Sequence, residues 1–242
     1  MNKRLIAAAQ RVEAIVFDLD DTIVDTFRLL IEPLELQAAA AMLPAATMEA
    51  DYRQITELIL QLRRDAPERV EQLLAQNLPW LTEKALKARR SVFAQASPDN
   101  LRIEPAVRQM LYELSERYDT YLLTVGRTDF QNRKLDTLSI RGLFKATTIL
   151  PSGSEQTKQR WLSSLIDSGY GAESVIVVGN RLDNEIRAGN RLGMTTVWVR
   201  RGEGSGLIPC DETGEPGYVI QDIMEFPEIL AKIESSQQSL KV

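Results

Sequence analysis

A four-residue apolar run, Ala14-Ile15-Val16-Phe17, passes without a spacer into Asp18, Asp20 and Asp21. A short, partly β-branched apolar segment of this kind suits a strand buried on both faces of a parallel sheet. In an open α/β sheet ligands bind in the crevice at the carboxyl ends of the strands. Two carboxylates two residues apart at such an end can share a divalent cation, and one of them is free to act as a nucleophile. Taken alone, the same residues also read as an ordinary strand followed by an acidic turn.

The remaining chain supplies the partners of that strand. From residue 100 onward the patterns alternate. Helices are predicted over 105–117, 129–138, 158–167, 183–192 and from 227 to about 233, and strands over 120–124, 146–150, 174–178, 196–200 and 218–220. Strands alternating with helices argue an α/β architecture with a parallel sheet covered on both faces. Residues 27–97 differ. Apolar residues recur there at spacings of three and four, as in Ile55, Leu58, Ile59 and Leu62, which marks one face of a helix. Pro44, Pro67, Pro79 and Pro98 fall where helices would break, giving four helical segments. All thirteen glycines lie between Gly126 and Gly217, so this region has none. The chain therefore reads as a Rossmann-like, doubly wound parallel sheet formed by 1–26 and 98–242, with an all-helical insertion at 27–97. Residues 202–217, rich in Gly and Pro, read as a loop, and 235–242 as a frayed end.

Composition narrows the chemistry. The 242 residues include no histidine, which removes Ser-His-Asp and Cys-His catalysis and His-ligated zinc. A single cysteine, Cys210, can form neither an internal disulfide nor a thiolate zinc site, and points to a cytoplasmic protein. Catalysis is left to carboxylates, Lys, hydroxyls or a hard cation held by oxygen. The net charge of −5 gives no footprint for nucleic acid. No stretch reaches the ~20 apolar residues of a membrane span, and residues 1–9 lack the pattern of a signal peptide.

Three further strand ends carry polar groups. The run Tyr121-Leu122-Leu123 ends in Thr124, followed by Val125 and Gly126. Lys158 opens a helix after Pro151-Ser152-Gly153-Ser154. The run Val175-Ile176-Val177-Val178 ends in Gly179-Asn180, with Asp183 and Glu185 close behind. Each alone has an ordinary explanation: a turn-capping Thr, a solvated Lys, acids favoured by a helix dipole. Their order is more specific. Asp18-Leu19-Asp20-Asp21-Thr22 matches the Asp-x-Asp-x-Thr motif of the haloacid dehalogenase superfamily of phosphohydrolases, and Thr124, Lys158 and residues 179–185 occupy the places of its second, third and fourth motifs. The chain resembles that superfamily over nearly its whole length, and the insertion is similar to its C1 cap.

The resemblance implies a Mg²⁺-dependent phosphatase acting on a small phosphorylated metabolite. In it Asp18 would form an aspartyl-phosphate, and Asp20 would protonate the leaving oxygen and then activate water. Thr124 and Lys158 would hold the phosphoryl oxygens. Mg²⁺ would be bound by Asp18, the backbone carbonyl of Asp20, and the fourth motif through Asn180 and Asp183. The same motifs would serve a phosphomutase. One position departs from the family pattern: Asn180 stands where an aspartate is expected. An amide oxygen can ligate Mg²⁺ but brings no charge, which leaves room for a catalytically silent binding protein. Asp183 or Glu185 could restore the charge, and an aspartate at 180, nearly the same size, is expected to cost little stability. The insertion carries nine acidic and nine basic side chains, so it offers no polyanion-binding face. Lys84, Lys87, Arg89 and Arg90 on its last helix read as a solvated face or as a basic edge toward substrate. Neither substrate identity nor oligomeric state is legible.

Overall fold

The computed structural model of the chain describes residues 12–43, 49–152 and 157–239. The expectations for residues 1–9, Pro44, Gly153, Ser154 and 240–242 lie outside them. Among the described residues six strands form one parallel sheet: β1 (Ala14–Phe17), β2 (Asp119–Val125), β3 (Ala146–Leu150), β4 (Val175–Gly179), β5 (Thr195–Val199) and β6 (Tyr218–Ile220). Their order is β3-β2-β1-β4-β5-β6, the doubly wound arrangement.

The apolar strands explain why both faces are covered. Successive side chains point to opposite faces, and the core divides accordingly. Ile15, Phe17, Leu122, Ile176 and Val178 belong to one cluster, packed under α5 (Pro105–Ser115), α6 (Thr128–Leu138) and α9 (Phe226–Ser239). Ala14, Val16, Tyr121, Leu123 and Val177 belong to another, under α7 (Lys158–Asp167) and α8 (Arg187–Arg191). Phe17 meets Phe226 edge-on at 5.5 Å between ring centres.

Between β1 and α5 the chain makes a π-type turn (Phe27–Ile31) and then α1 (Glu32–Met42), α2 (Glu49–Asp65), α3 (Val70–Asn77) and α4 (Glu83–Ala94). These helices enclose a small core of their own, with Ala39, Met42, Ile59, Val70, Leu74 and Ala85 at its centre.

Two expectations are corrected. The segment 183–192 is not one regular helix: it opens as a π-type turn (Leu182–Ile186), leaving α8 short. Residues 235–239 continue α9 rather than fray. An Asp222–Glu225 capping box starts this segment, Phe226, Leu230 and Ile233 bury its inner face, and the Ser235 and Ser236 hydroxyls donate back to the carbonyls of Ala231 and Lys232.

Candidate active site

The strand order reverses between β1 and β4, so the crevice at their carboxyl ends is the topological switch point. Phe17 stands level with Leu122 and Val178, and the Asp18 N–H still donates to the Val178 carbonyl at 2.9 Å. Asp18, Thr124 and Asn180 therefore emerge at one end of the sheet.

Lys158 is drawn into this end. The Thr157 hydroxyl caps α7 by accepting the Arg160 N–H at 3.2 Å, which makes Lys158 the first helical residue. Its side chain is 3 % exposed rather than solvated. The ammonium donates to Asp18 Oδ1 at 2.5 Å and to Glu185 Oε1. The other Glu185 oxygen accepts the Arg181 N–H at 3.0 Å. Gly179 is needed for this approach, since a Cβ there would come within 2.6 Å of Glu185 Cγ. Two buried carboxylates thus share one ammonium. Burial pushes the Asp18 carboxyl up and Lys158 pulls it down; Glu185 and Asp20 push it up again, to about 7. Burial opposes the charge on Lys158, but Asp18 and Glu185 outweigh it and raise its pKa.

Asp20 has a separate set of donors. Its Oδ1 accepts from the Thr26 hydroxyl at 2.6 Å and from Lys134 Nζ at 2.7 Å, and its Oδ2 from Gln131 Nε2 at 3.0 Å. Burial works to raise this carboxyl, but Lys134, Thr26 and Gln131 outweigh it and hold it below its ordinary value. The buried Thr124 hydroxyl accepts from the same Gln131 amide at 2.7 Å. Neither Gln131 nor Lys134 was singled out from sequence. The available signal was their spacing with Leu135 and Leu138, which places two polar residues on the buried face of α6.

The fourth-motif residues separate. Asn180 is buried, its Nδ2 donating to the Glu203 carbonyl at 2.9 Å and its own carbonyl accepting from the Trp198 indole at 2.8 Å. Asp183 is not brought to Asp18. Its carboxylate pairs with Arg181 at 2.9 and 2.8 Å, and although burial raises its pKa, Arg181 brings it below the ordinary value. The reason is local: a π-type turn bonds i to i+5 and so shifts which residue faces inward, and Glu185 takes the inner place. Arg181 also reaches Glu68 of the helical segment at 3.0 Å.

Asp21 anchors the surrounding backbone. It adopts a left-handed φ of 56°, and its carboxylate accepts the N–H groups of Phe27 at 2.6 Å and Glu203 at 2.9 Å. Burial dominates these bonds and raises its carboxyl to about 7. Arg201 closes the same corner by donating to the carbonyls of Asp21 at 2.9 Å and Thr22 at 2.6 Å.

The donors here fit a hard cation. Carboxylates of Asp18 and Glu185, the Asp20 carbonyl and the Asn180 amide oxygen are all oxygen ligands, and the two buried acids outnumber their ammonium. Among the described residues no three acidic side chains form a ready-made cage. Such a sparse set suits Mg²⁺, which keeps its waters and is commonly bound by one or two carboxylates and substrate phosphate.

The family of haloacid dehalogenase-like hydrolases matches residues 15–199. Glyceraldehyde 3-phosphate phosphatase of Methanopyrus kandleri is 27 % identical over 237 residues, covering 92 % of this chain and 98 % of that protein. N-acylneuraminate-9-phosphatase of Rattus norvegicus is 26 % identical over 252 residues, with coverages of 93 % and 96 %. Among solved structures, the magnesium-bound HAD-hydrolase YfnB of Bacillus subtilis superposes with a TM-score of 0.62 at 20 % identity, covering 91 % of this chain and 99 % of that one.

Proposed function

This chain belongs to the haloacid dehalogenase-like hydrolases and is an enzyme of that family, and from this premise we propose that it is a Mg²⁺-dependent phosphatase acting on a small phosphorylated metabolite. The observation that carries the reading is the placement of Asp18, with Lys158 Nζ at 2.5 Å, at the switch-point end of β1. The matched relatives are both named as phosphatases of small organic phosphates.

In this reading Asp18 attacks phosphorus and the bond to the leaving oxygen breaks. Asp20, ionised in the free site, takes up the proton carried by the monoanion of the bound phosphate ester and passes it to that oxygen. It then takes a proton from the water that cleaves the aspartyl-phosphate, releasing inorganic phosphate and restoring Asp18. Phosphoryl transfer depends on alignment and charge neutralisation. Lys158 supplies a fixed positive charge between Asp18 and the transferred group, and Thr124 can donate its hydroxyl hydrogen to a phosphoryl oxygen. Asp18, the Asp20 carbonyl, Asn180 and Glu185 would hold Mg²⁺, which supplies further charge neutralisation at the phosphoryl oxygens. Glu185 stands in this set in place of Asp183 because it shares Lys158 with Asp18, whereas Asp183 pairs with Arg181 away from that group.

Residues 27–97 act as the lid, and 1–26 with 98–242 as the catalytic body. Supporting this, the segment follows the catalytic strand directly and touches the body through Arg63–Glu203 at 2.5 Å and Glu68–Arg181 at 3.0 Å. Phosphate release from a panel of small phosphate esters, with Mg²⁺ and with chelator, tests this reading. Mg²⁺-dependent release that is lost in Asp18→Asn supports the phosphatase; none with any ester overturns it.

A further inference from the structure

We propose that Gln131 is a positioning residue that ties the acid/base carboxylate of Asp20 to the phosphate-binding hydroxyl of Thr124; the proposal rests on the phosphatase reading above. One amide nitrogen reaches both groups, at 3.0 Å to Asp20 Oδ2 and 2.7 Å to Thr124 Oγ1, and also the Val125 carbonyl at 3.1 Å. It carries two hydrogens, so three acceptors share them, and the separation of the two catalytic groups is set through a single atom. Because Thr124 Oγ1 accepts from Gln131, its own hydrogen remains to be donated to a phosphoryl oxygen.

The surroundings show that this side chain is held. Gln131 is 2 % exposed, on the α6 face shared with Leu135 and Leu138. Gly126 leaves the room it fills: a Cβ at that position would stand 3.0 Å from Gln131 Cγ and 3.3 Å from Nε2. The amide orientation follows from its neighbours, since the Asp20 carboxylate and the Val125 carbonyl can only accept. The opposite oxygen, Oε1, is buried without a partner among the described residues. Leaving such an acceptor unpaired is unfavourable, and the orientation persists because the three Nε2 contacts outweigh it. Lys134 also fixes Asp20, but its removal would change charge as well as position. Gln131 is neutral, so replacing it leaves the net charge of the site intact, which makes it the sharper probe.

The test compares kcat/KM for two esters, because this ratio reports steps through departure of the leaving group. An alkyl phosphate such as glycerol phosphate needs a proton on its leaving oxygen; p-nitrophenyl phosphate does not. Gln131→Met keeps the size and removes the donor. It is expected to lower kcat/KM for the alkyl ester on the order of 10²-fold, within the range of a lost general acid, and for the nitrophenyl ester by less than about tenfold, the share due to Thr124. Gly126→Ala, which crowds Gln131 without touching Asp20, should give the same imbalance in smaller measure and serves if Gln131→Met fails to fold by circular dichroism. Equal losses for the two esters, or none, in a folded variant would overturn the positioning role. The alkyl and aryl esters are chosen from those of the panel above that the parent hydrolyses; absence of turnover with every ester of that panel would instead overturn the phosphatase reading, and the role given to Gln131 with it.

Discussion

Two buried ionic clusters in this molecule use similar groups to opposite ends. At the switch point, Lys158 is shared by Asp18 and Glu185, so negative charge is in surplus. In the helical segment the ratio is inverted: the fully buried Glu35 accepts from both Arg63 and Arg89. There each guanidinium finds a second acid, Glu203 for Arg63 at 2.5 Å and Glu71 for Arg89 at 3.3 Å, and both lie over the Phe93 ring at 5.1 and 4.9 Å. In the second cluster every charge is paired. The first is left short of positive charge where the sheet opens. Burial alone does not mark a functional site; an unbalanced charge in a crevice does.

The largest contrast is expected on activity. Asp18→Asn should abolish phosphate release, a loss on the order of 10⁴-fold or more for a removed nucleophile. It should leave the thermal midpoint unchanged or raised, because it relieves the surplus of negative charge. A variant that keeps full turnover would remove Asp18 from the mechanism.

Glu35→Gln should do the reverse. It leaves Arg63 and Arg89 with only their outer partners Glu203 and Glu71, and breaking a buried pair costs about 3–5 kcal/mol, equivalent to roughly 6–20 °C in a chain of this size. The rate with p-nitrophenyl phosphate should fall far less than in Asp18→Asn. Urea unfolding and initial rates on one preparation check both, and an unchanged midpoint would mean that the second cluster contributes no stability.

These clusters also differ in how readable they are. The residues of the first lie at strand ends, where short apolar runs stop at Asp18, Thr124 and Gly179, so local pattern and order along the chain locate them. Lys158 reads as a surface lysine because nothing local shows that the β4 end carries a second acid to receive it. Glu35 and Gln131 hide differently. Each is a polar residue on the inward face of a helix, Glu35 with Leu34, Ala38 and Ala39, Gln131 with Leu135 and Leu138. Helical spacing shows the face, but its partners come from elements 28 and 54 residues away for Glu35. Of the basic group on α4, Arg89 is buried in this cluster while Lys84 and Lys87 are exposed. That Glu185 rather than Asp183 meets Lys158 is hidden because a π-type turn is invisible in an α-helical reading.

Metal and pH should act on the first cluster and spare the second. An unfolded Asp ionises near 3.9, whereas Asp18 holds its proton up to about 7 in the folded chain. Between about pH 4 and pH 7 the folded state therefore binds a proton that the unfolded state does not. Stability falls as pH rises through that window and levels off above it. Asp21, also raised to about 7, adds to the same trend. A cation competes with the proton on Asp18. Mg²⁺ should raise the thermal midpoint by a few degrees at pH 8 and hardly at pH 5, an increase expected from ligand linkage, and Asp18→Asn should lose it. Equal shifts at both pH values would place the cation elsewhere.

The smallest effect tests the one departure from the family pattern. Asn180→Asp adds a charge beside Asp18, and at ~4 Å with an effective dielectric of ~20 a unit charge is worth roughly 4 kcal/mol before desolvation. After desolvation and repulsion from Asp18 and Glu185, about a tenfold gain in Mg²⁺ affinity is the expected remainder. The structure adds an opposing effect that size alone does not reveal. Asn180 Nδ2 donates to the Glu203 carbonyl, and a carboxylate cannot. Glu203 in turn receives Asn180 through its carbonyl, bonds Asp21 through its N–H and pairs with Arg63 through its side chain. Losing that donor should cost about 1–3 kcal/mol and loosen the loop that joins the first cluster to the second. Mg²⁺ titration by calorimetry, with thermal melts in chelator, reads the two effects separately. Tighter binding at lower apo stability is the expected outcome. Tighter binding with no loss of stability would mean that the Asn180–Glu203 contact contributes nothing, and the two clusters would then be independent.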